Sequence, residues 1–134
     1  MTTDMLDRLP CAVIVTDTQG RVLACNAELI AMAGGSESGW VGDSIERLLP
    51  PASRIFMQTH VWPLILRDGL ISELHLQIID SQQQRVPVLL NGRLGDHHGG
   101  SACYWTFFVA KERHRFEAEL VGARNRAQAD LVEV

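Results

Sequence analysis

Between Ile71 and Leu94 apolar residues alternate with polar ones in two successive runs, and this repeat of two decides most of what the chain can become. Leu74, Leu76 and Ile78 stand opposite Glu73, His75 and Gln77, the period of a strand with one face buried and one face wet. Ser81 to Gln84 supplies turn chemistry. Val86, Val88 and Leu90 then repeat the alternation along a second strand, Arg85 to Leu94, in which Pro87 is tolerated near the start or at an edge. Two such strands joined by a short turn pair antiparallel, and the rest of the chain must cover their apolar face.

The flanking segments supply that cover. Thr3 to Leu9 fits a short helix ended by Pro10, with Thr3 or Asp4 as its cap. Ala12 to Asp17 is a β-branched strand, turned at Thr18 to Gly20 into a second strand, Arg21 to Cys25. Asn26 can cap a helix from Ala27 to Ala33, which Gly34 and Gly35 stop. A weaker helical turn fits Glu37 to Val41, and Asp43 can cap Ser44 to Leu49. Ala52 to Arg67 carries Ile55, Phe56, Val61, Leu64 and Ile65 on one apolar face, with Pro63 predicting a bend and a break in hydrogen bonding near Thr59 or His60. Gly95 to Gly100 reads as a glycine- and histidine-rich loop, and Ala102 to Val109 as the last strand. The expected class is α+β, a five-stranded antiparallel sheet with helices on one face.

From Lys111 the composition shifts to charged residues and alanine, which predicts a solvated helix leaving the domain. With Val109 at heptad position d, Phe116 and Ala123 also fall at d, Leu120 and Ala127 at a, Glu119 at g and Arg124 at e, the spacing of a parallel two-stranded coil. The expected organisation is an N-terminal cap helix over 1–10, a core over 11–110 and an amphipathic linker helix over 111–134.

The charge balance narrows the partners. Twelve basic against 16 acidic side chains, a formal charge of -4, give no electrostatic footprint for nucleic acid or an anionic membrane. Cys11, Cys25 and Cys103 are odd in number and lack a C-x-x-C spacing, which suits a reducing compartment such as the cytoplasm. No window approaches the roughly 20 apolar residues of a membrane span.

The stretch AVIVTDTQGRVLACNAEL, with Asp17, Gly20, Asn26 and Ala27, together with Gly42, resembles the opening of the PAS sensor family. Arg54, Phe56, His60, Pro63, Leu64, Gly69 and the run Pro87 to Asn91 are similar to the PAS subgroup found upstream of diguanylate cyclases, histidine kinases and PP2C-type phosphatases in bacteria. The resemblance covers residues 5 to 120. It implies a PAS fold with an N-terminal cap helix and a C-terminal signalling helix, and an output domain in the same polypeptide. It departs in one place. Where the family often carries an Asp-Ile-Thr triplet, Val109, Ala110 and Lys111 stand, so output must run through the helix or another contact.

No nucleophile, base and orienting partner can be recognised, and turn or surface roles explain Asp17 and Glu46 more cheaply than acid–base catalysis. Enzymatic activity is therefore expected in an output domain. The resemblance implies that flavin photochemistry needs an Asn-Cys-Arg-Phe context, which Cys25 in ACNAE lacks. It also implies that a haem ligand would fall nearer Met57 than His60, although His60 could share that face. His97, His98 and Cys103 lack metal-ligand spacing, and no metal is assigned. His75 and His114 are expected at the surface. What remains is the space between the long helix and the sheet, which either holds a small organic ligand or is filled by its own side chains, as in a ligand-free interaction domain. Phe56, Met57, His60 and Leu64 are expected on its helical wall, and Leu74, Leu76, Val88, Leu90, Cys103, Trp105 and Phe107 on the sheet. The opposite face, with Tyr104, Thr106 and Phe108, needs the cap helix or a second copy as cover, which predicts a homodimer through cap helix, sheet face and C-terminal helix.

Overall fold

The computed structural model describes residues 2–109. Ala110 and Lys111, and with them His114, Phe116, Glu119, Leu120, Ala123, Arg124 and Ala127 of the expected exit helix, lie outside the described residues. Five strands, β1 (Ala12–Thr16), β2 (Val22–Cys25), β3 (Leu70–Ile79), β4 (Arg85–His97) and β5 (Gly100–Val109), form one antiparallel sheet in the order β2-β1-β5-β4-β3. The last strand of the described residues, β5, thus enters the middle of the sheet. Ile14 and Gly92 flank Trp105 in the pairing, and Thr16 is paired with Cys103. Among the described residues no helix is long and apolar enough to cross a membrane.

Helix α1 (Thr2–Asp7) lies on one face of this sheet, where Leu6 packs with Val13, Val15, Ala24 and Ala102. Helices α2 (Ala27–Ala33), α3 (Glu37–Trp40), α4 (Pro51–Phe56) and α5 (Trp62–Asp68) cover the other face and share its core. Asn26 joins the two sides. Its Oδ1 accepts from Leu29 N as the cap of α2 and from Val13 N, while its Nδ2 donates to Leu6 O and Cys11 O. One side chain therefore closes a helix start, the beginning of β1 and the cap-helix linker. The turn expected under an Asp43 cap is a 3-10 turn, Ile45–Leu48, capped instead by the Ser44 hydroxyl on Glu46 N.

Two local features depart from simple periodicity. In β3, Ile71 pairs with Gly92 and Leu74 with Leu90, so one extra residue sits between them, and Glu73 takes φ 50°. This bulge turns both Ile71 and the Leu74, Leu76, Ile78 series toward the core, which strict alternation forbids. The loop expected from Gly95 to Gly100 is corrected to a hairpin tip. β4 continues to His97, and only His98 and Gly99 turn the chain, at φ 51° and 81°. Two consecutive positive φ values match the right-handed strand twist, so the glycines extend the hairpin rather than dissolve it.

The long helical stretch breaks where Pro63 predicts. Met57–Val61 is a π turn, and Trp62 N–H donates to Met57 O, five residues back. The wider turn relieves the clash of the proline ring with the Thr59 carbonyl. It also keeps Ser53, Met57, Val61 and Ile65 buried in one line. An unbroken α-helix would carry Ile65 about 120° out of line with Ser53.

Candidate functional site

The inner space expected to receive a ligand is centred on Trp105, which is fully buried. Its indole lies across Gly92, where an added Cβ would meet Cε3 at 2.7 Å and Cζ3 at 2.8 Å, and Ile65 Cδ1 at 3.1 Å. Only a glycine leaves room for the ring to lie flat on β4. Trp62 meets the indole edge-on at 5.3 Å, and Trp105 Nε1 donates to Thr16 Oγ1 at 3.0 Å. Thr16 is also the cross-strand partner of Cys103. Four side chains from β1, β5 and the long helix thus converge on one buried point.

Most of the expected lining residues meet here. Met57, Leu76, Val88, Leu90, Cys103, Trp105 and Phe107 are buried in a common core, with Phe56, Leu64 and Leu74 half-buried against it. His60 is the correction. Its ring is exposed, stacked on Phe56 at 5.0 Å, and its Nδ1 lies 2.7 Å from Thr59 Oγ1. The π turn gives the inward position to Val61 instead, so His60 is not placed to ligate iron in the inner space. Val109, at the end of β5, is half exposed.

The remaining candidates are separated. Asp17 accepts from Gln19 N and Arg21 N in the β1–β2 turn, and Glu46 accepts from the Gln58 amide. His97 and His98 face each other at the hairpin tip, 4.4 Å apart, whereas Cys103 points into the core. His75 is exposed. Burial pushes the Cys25 and Cys103 thiols up to about 11, with Glu37 and Asp7 adding to the effect at Cys25. Both stay protonated at neutral pH and are poor nucleophiles. Among the described residues no buried side-chain polar atom lacks a partner.

The chain matches the model of a known family, the PAS fold, over residues 2–107. The chain belongs to the PAS family. It is similar to the phosphoserine phosphatase RsbP of Bacillus subtilis (strain 168), 25% identical over 123 residues, which is 92% of this chain and 30% of that protein. The chain therefore spans less than a third of that relative. Among solved structures it is similar to the PAS domain of a LuxR-family transcriptional regulator from Burkholderia thailandensis in complex with ethanol, with TM-score 0.67, 18% identity and coverage of 81% and 96% of the two chains. It is also similar to a PAS domain from Colwellia psychrerythraea, with TM-score 0.69, 15% identity and coverage of 81% and 93%.

Within this PAS domain, sequence reasoning missed Thr16, Trp40 and Gly92, and it placed Val61 on the apolar helix face without assigning it to the inner space. A legible signal existed for Val61. Ser53, Met57, Val61 and Ile65 recur at intervals of four, and with a proline inside the run that interval favours a widened turn. Trp40 had no periodic signal, because it is held by its own loop: Nε1 donates to Gly34 O at 2.9 Å.

Proposed function

We propose that this PAS domain is the sensory input and dimerisation module of a multidomain bacterial signalling protein, working in the cytoplasm and passing its state along β5 to an output domain in the same polypeptide. One observation carries this reading. β5 holds Trp105 at the centre of the core and, four residues on, presents half-exposed Val109 at its last residue. A change of packing at the indole therefore acts on the strand that leads to the output.

Dimerisation is supported by apolar side chains left open on the cap helix and the outer sheet face. Met5, Leu9 and Phe108 are between 39% and 69% exposed, side chains that a second copy would cover. The phosphatase relative supports an enzymatic output domain, and the subgroup resemblance adds histidine kinase and diguanylate cyclase as further outputs. Light scattering of the eluted chain tests the dimer. The expected result is twice the chain mass, reduced to one by Phe108→Asp with unchanged circular dichroism; a monomer at every concentration would remove this mechanism.

A second reading, a small organic ligand in the inner space, is favoured by its half-buried end. Phe56 and Leu76 border a shallow depression of about 250 Å³ that also reaches Ser53 and His75. A native-state ligand must raise the melting temperature by mass action. A small-molecule screen without any rise leaves the ligand-free interaction form, and a Soret band on adding haem would require an iron ligand other than His60.

A further inference from the structure

Away from the inner space, the loop between α2 and α3 and the turn between β3 and β4 enclose a second hollow of about 390 Å³. At roughly 30 Å³ per water this is room for about a dozen waters, or a molecule of roughly ten non-hydrogen atoms. Its two ends carry opposite charge. Arg47 stands at one end, its guanidinium 4.5 Å above the Trp40 ring. Its Nη1 donates to Asp43 Oδ2 at 3.1 Å and Gly39 O at 3.3 Å. These bonds fix the plane and leave Nη2 3.9 Å from the Cβ position of Gly35, without an acceptor among the described residues.

Asp80 stands at the other end. Its Oδ1 accepts from Gln82 N and Gln84 N, while Oδ2 has no partner among the described residues. Ser81 N–H bonds Met32 O, and Ser81 Cβ lies 3.3 Å from the Cβ position of Gly34. Arg47 thus flanks Gly35 and the Asp80–Ser81 pair flanks Gly34, neighbours about 3.8 Å apart at Cα. Both glycines have positive φ, 84° and 83°, and side chains here would crowd Ser81 and Trp40. Ala33 and Ile79 add apolar wall between the charged ends.

We propose that this hollow binds a small zwitterion of the α-amino acid class. The carboxylate accepts from Arg47 Nη2 and the Gly35 N–H, the ammonium donates to Asp80 Oδ2, and the side chain lies on Ala33 and Ile79. A simple anion would meet the uncompensated Asp80, and a simple cation would meet Arg47. A molecule carrying both charges can meet both side chains with ordinary hydrogen bonds. Bound there, it would clamp α2 to the β3–β4 hairpin, a second input independent of the inner space and of dimerisation.

The test is thermal melting of the chain with each of the twenty L-amino acids singly, with acetate and methylammonium as half-probes. At ten times its dissociation constant, at least one amino acid raises the midpoint by about 5 °C. Neither half-probe does so at the same concentration. Asp80→Asn keeps the Oδ1 acceptor of the turn, and so the fold, and abolishes the shift; Arg47→Gln abolishes it too. No shift with any amino acid, an equal shift with acetate alone, or a shift that survives Asp80→Asn overturns the proposal. A monomeric chain that still shows the shift would sink the dimer reading and leave this site standing.

Discussion

Replacing Gly92 by alanine tests whether Trp105 is held as rigidly as its contacts imply. Gly92 has no positive φ, so alanine is allowed by the backbone, and the lower entropy of the unfolded chain would by itself stabilise by about 0.4–1 kcal/mol. Against this, the new methyl group would sit 2.7 and 2.8 Å from two indole carbons and 3.1 Å from Ile65 Cδ1. The ring cannot easily yield. It is fully buried, its Nε1 is tied to Thr16 and it packs edge-to-face with Trp62. Overpacking of this kind costs about 1–3 kcal/mol, so it exceeds the entropic gain. The net expectation is a loss of about 1–2 kcal/mol and a melting midpoint lower by about 5 °C.

Urea unfolding at an unchanged m-value reads the loss, and near-ultraviolet circular dichroism reads the displaced indole. Trp105→Phe removes the clashing ring. In the double variant, Gly92→Ala should therefore cost less than it does alone, with a coupling of about 1 kcal/mol or more. A midpoint for Gly92→Ala equal to or above that of the parent, or strictly additive costs in the double variant, would refute the picture of a pinned indole.

Asn26→Ala removes a helix cap and leaves the carbonyls of Leu6 and Cys11 and the N–H of Val13 without partners, an expected loss of about 3 kcal/mol in urea unfolding. Asn26→Asp should also lose stability, because its second oxygen would face those two carbonyls; a variant as stable as the parent would contradict the role assigned to Nδ2. Burial holds the Cys25 and Cys103 thiols protonated up to about 11, whereas the unfolded chain releases these protons near the ordinary thiol value of 9.0. The stability they contribute is complete below pH 9 and falls as pH rises toward 11, so urea midpoints should drop over that window and drop less in Cys103→Ala.

The class of fold was legible because period-two runs survive averaging. Leu74 to Ile78 and Val86 to Leu90 dictate a half-buried hairpin whatever surrounds it, and Asn26 before an apolar helix face is a local signal that needs no tertiary context. The errors came where a long-range contact outweighed local composition. His98 and Gly99 turn the chain tightly because β4 and β5 pair along their whole length, although the stretch reads as a loop. His60 reads as inward only if the helix is uniformly α, and the π turn that Pro63 demands turns Val61 inward in its place. Gly92 carries no periodic signal, since its meaning lies in a ring placed opposite it by pairing with Trp105.

The same pairing explains why β5 is suited to report on the core. A strand at a sheet edge can shift with little cost to its neighbours, but β5 is bonded to β1 on one side and β4 on the other. Motion of Trp105 along the strand would have to carry Ile14 and Gly92 with it or break their pairing. Motion of the helical wall is easier, because the π turn stores a change of register between Met57 and Trp62. If the turn reverted to α, the segment beyond it would rotate by about 100°, the angle of one residue, and Trp62 would leave the indole edge. In the proposed function the stiff strand would receive what the softer helix does, and its end at Val109 would carry the difference between two packings of the core.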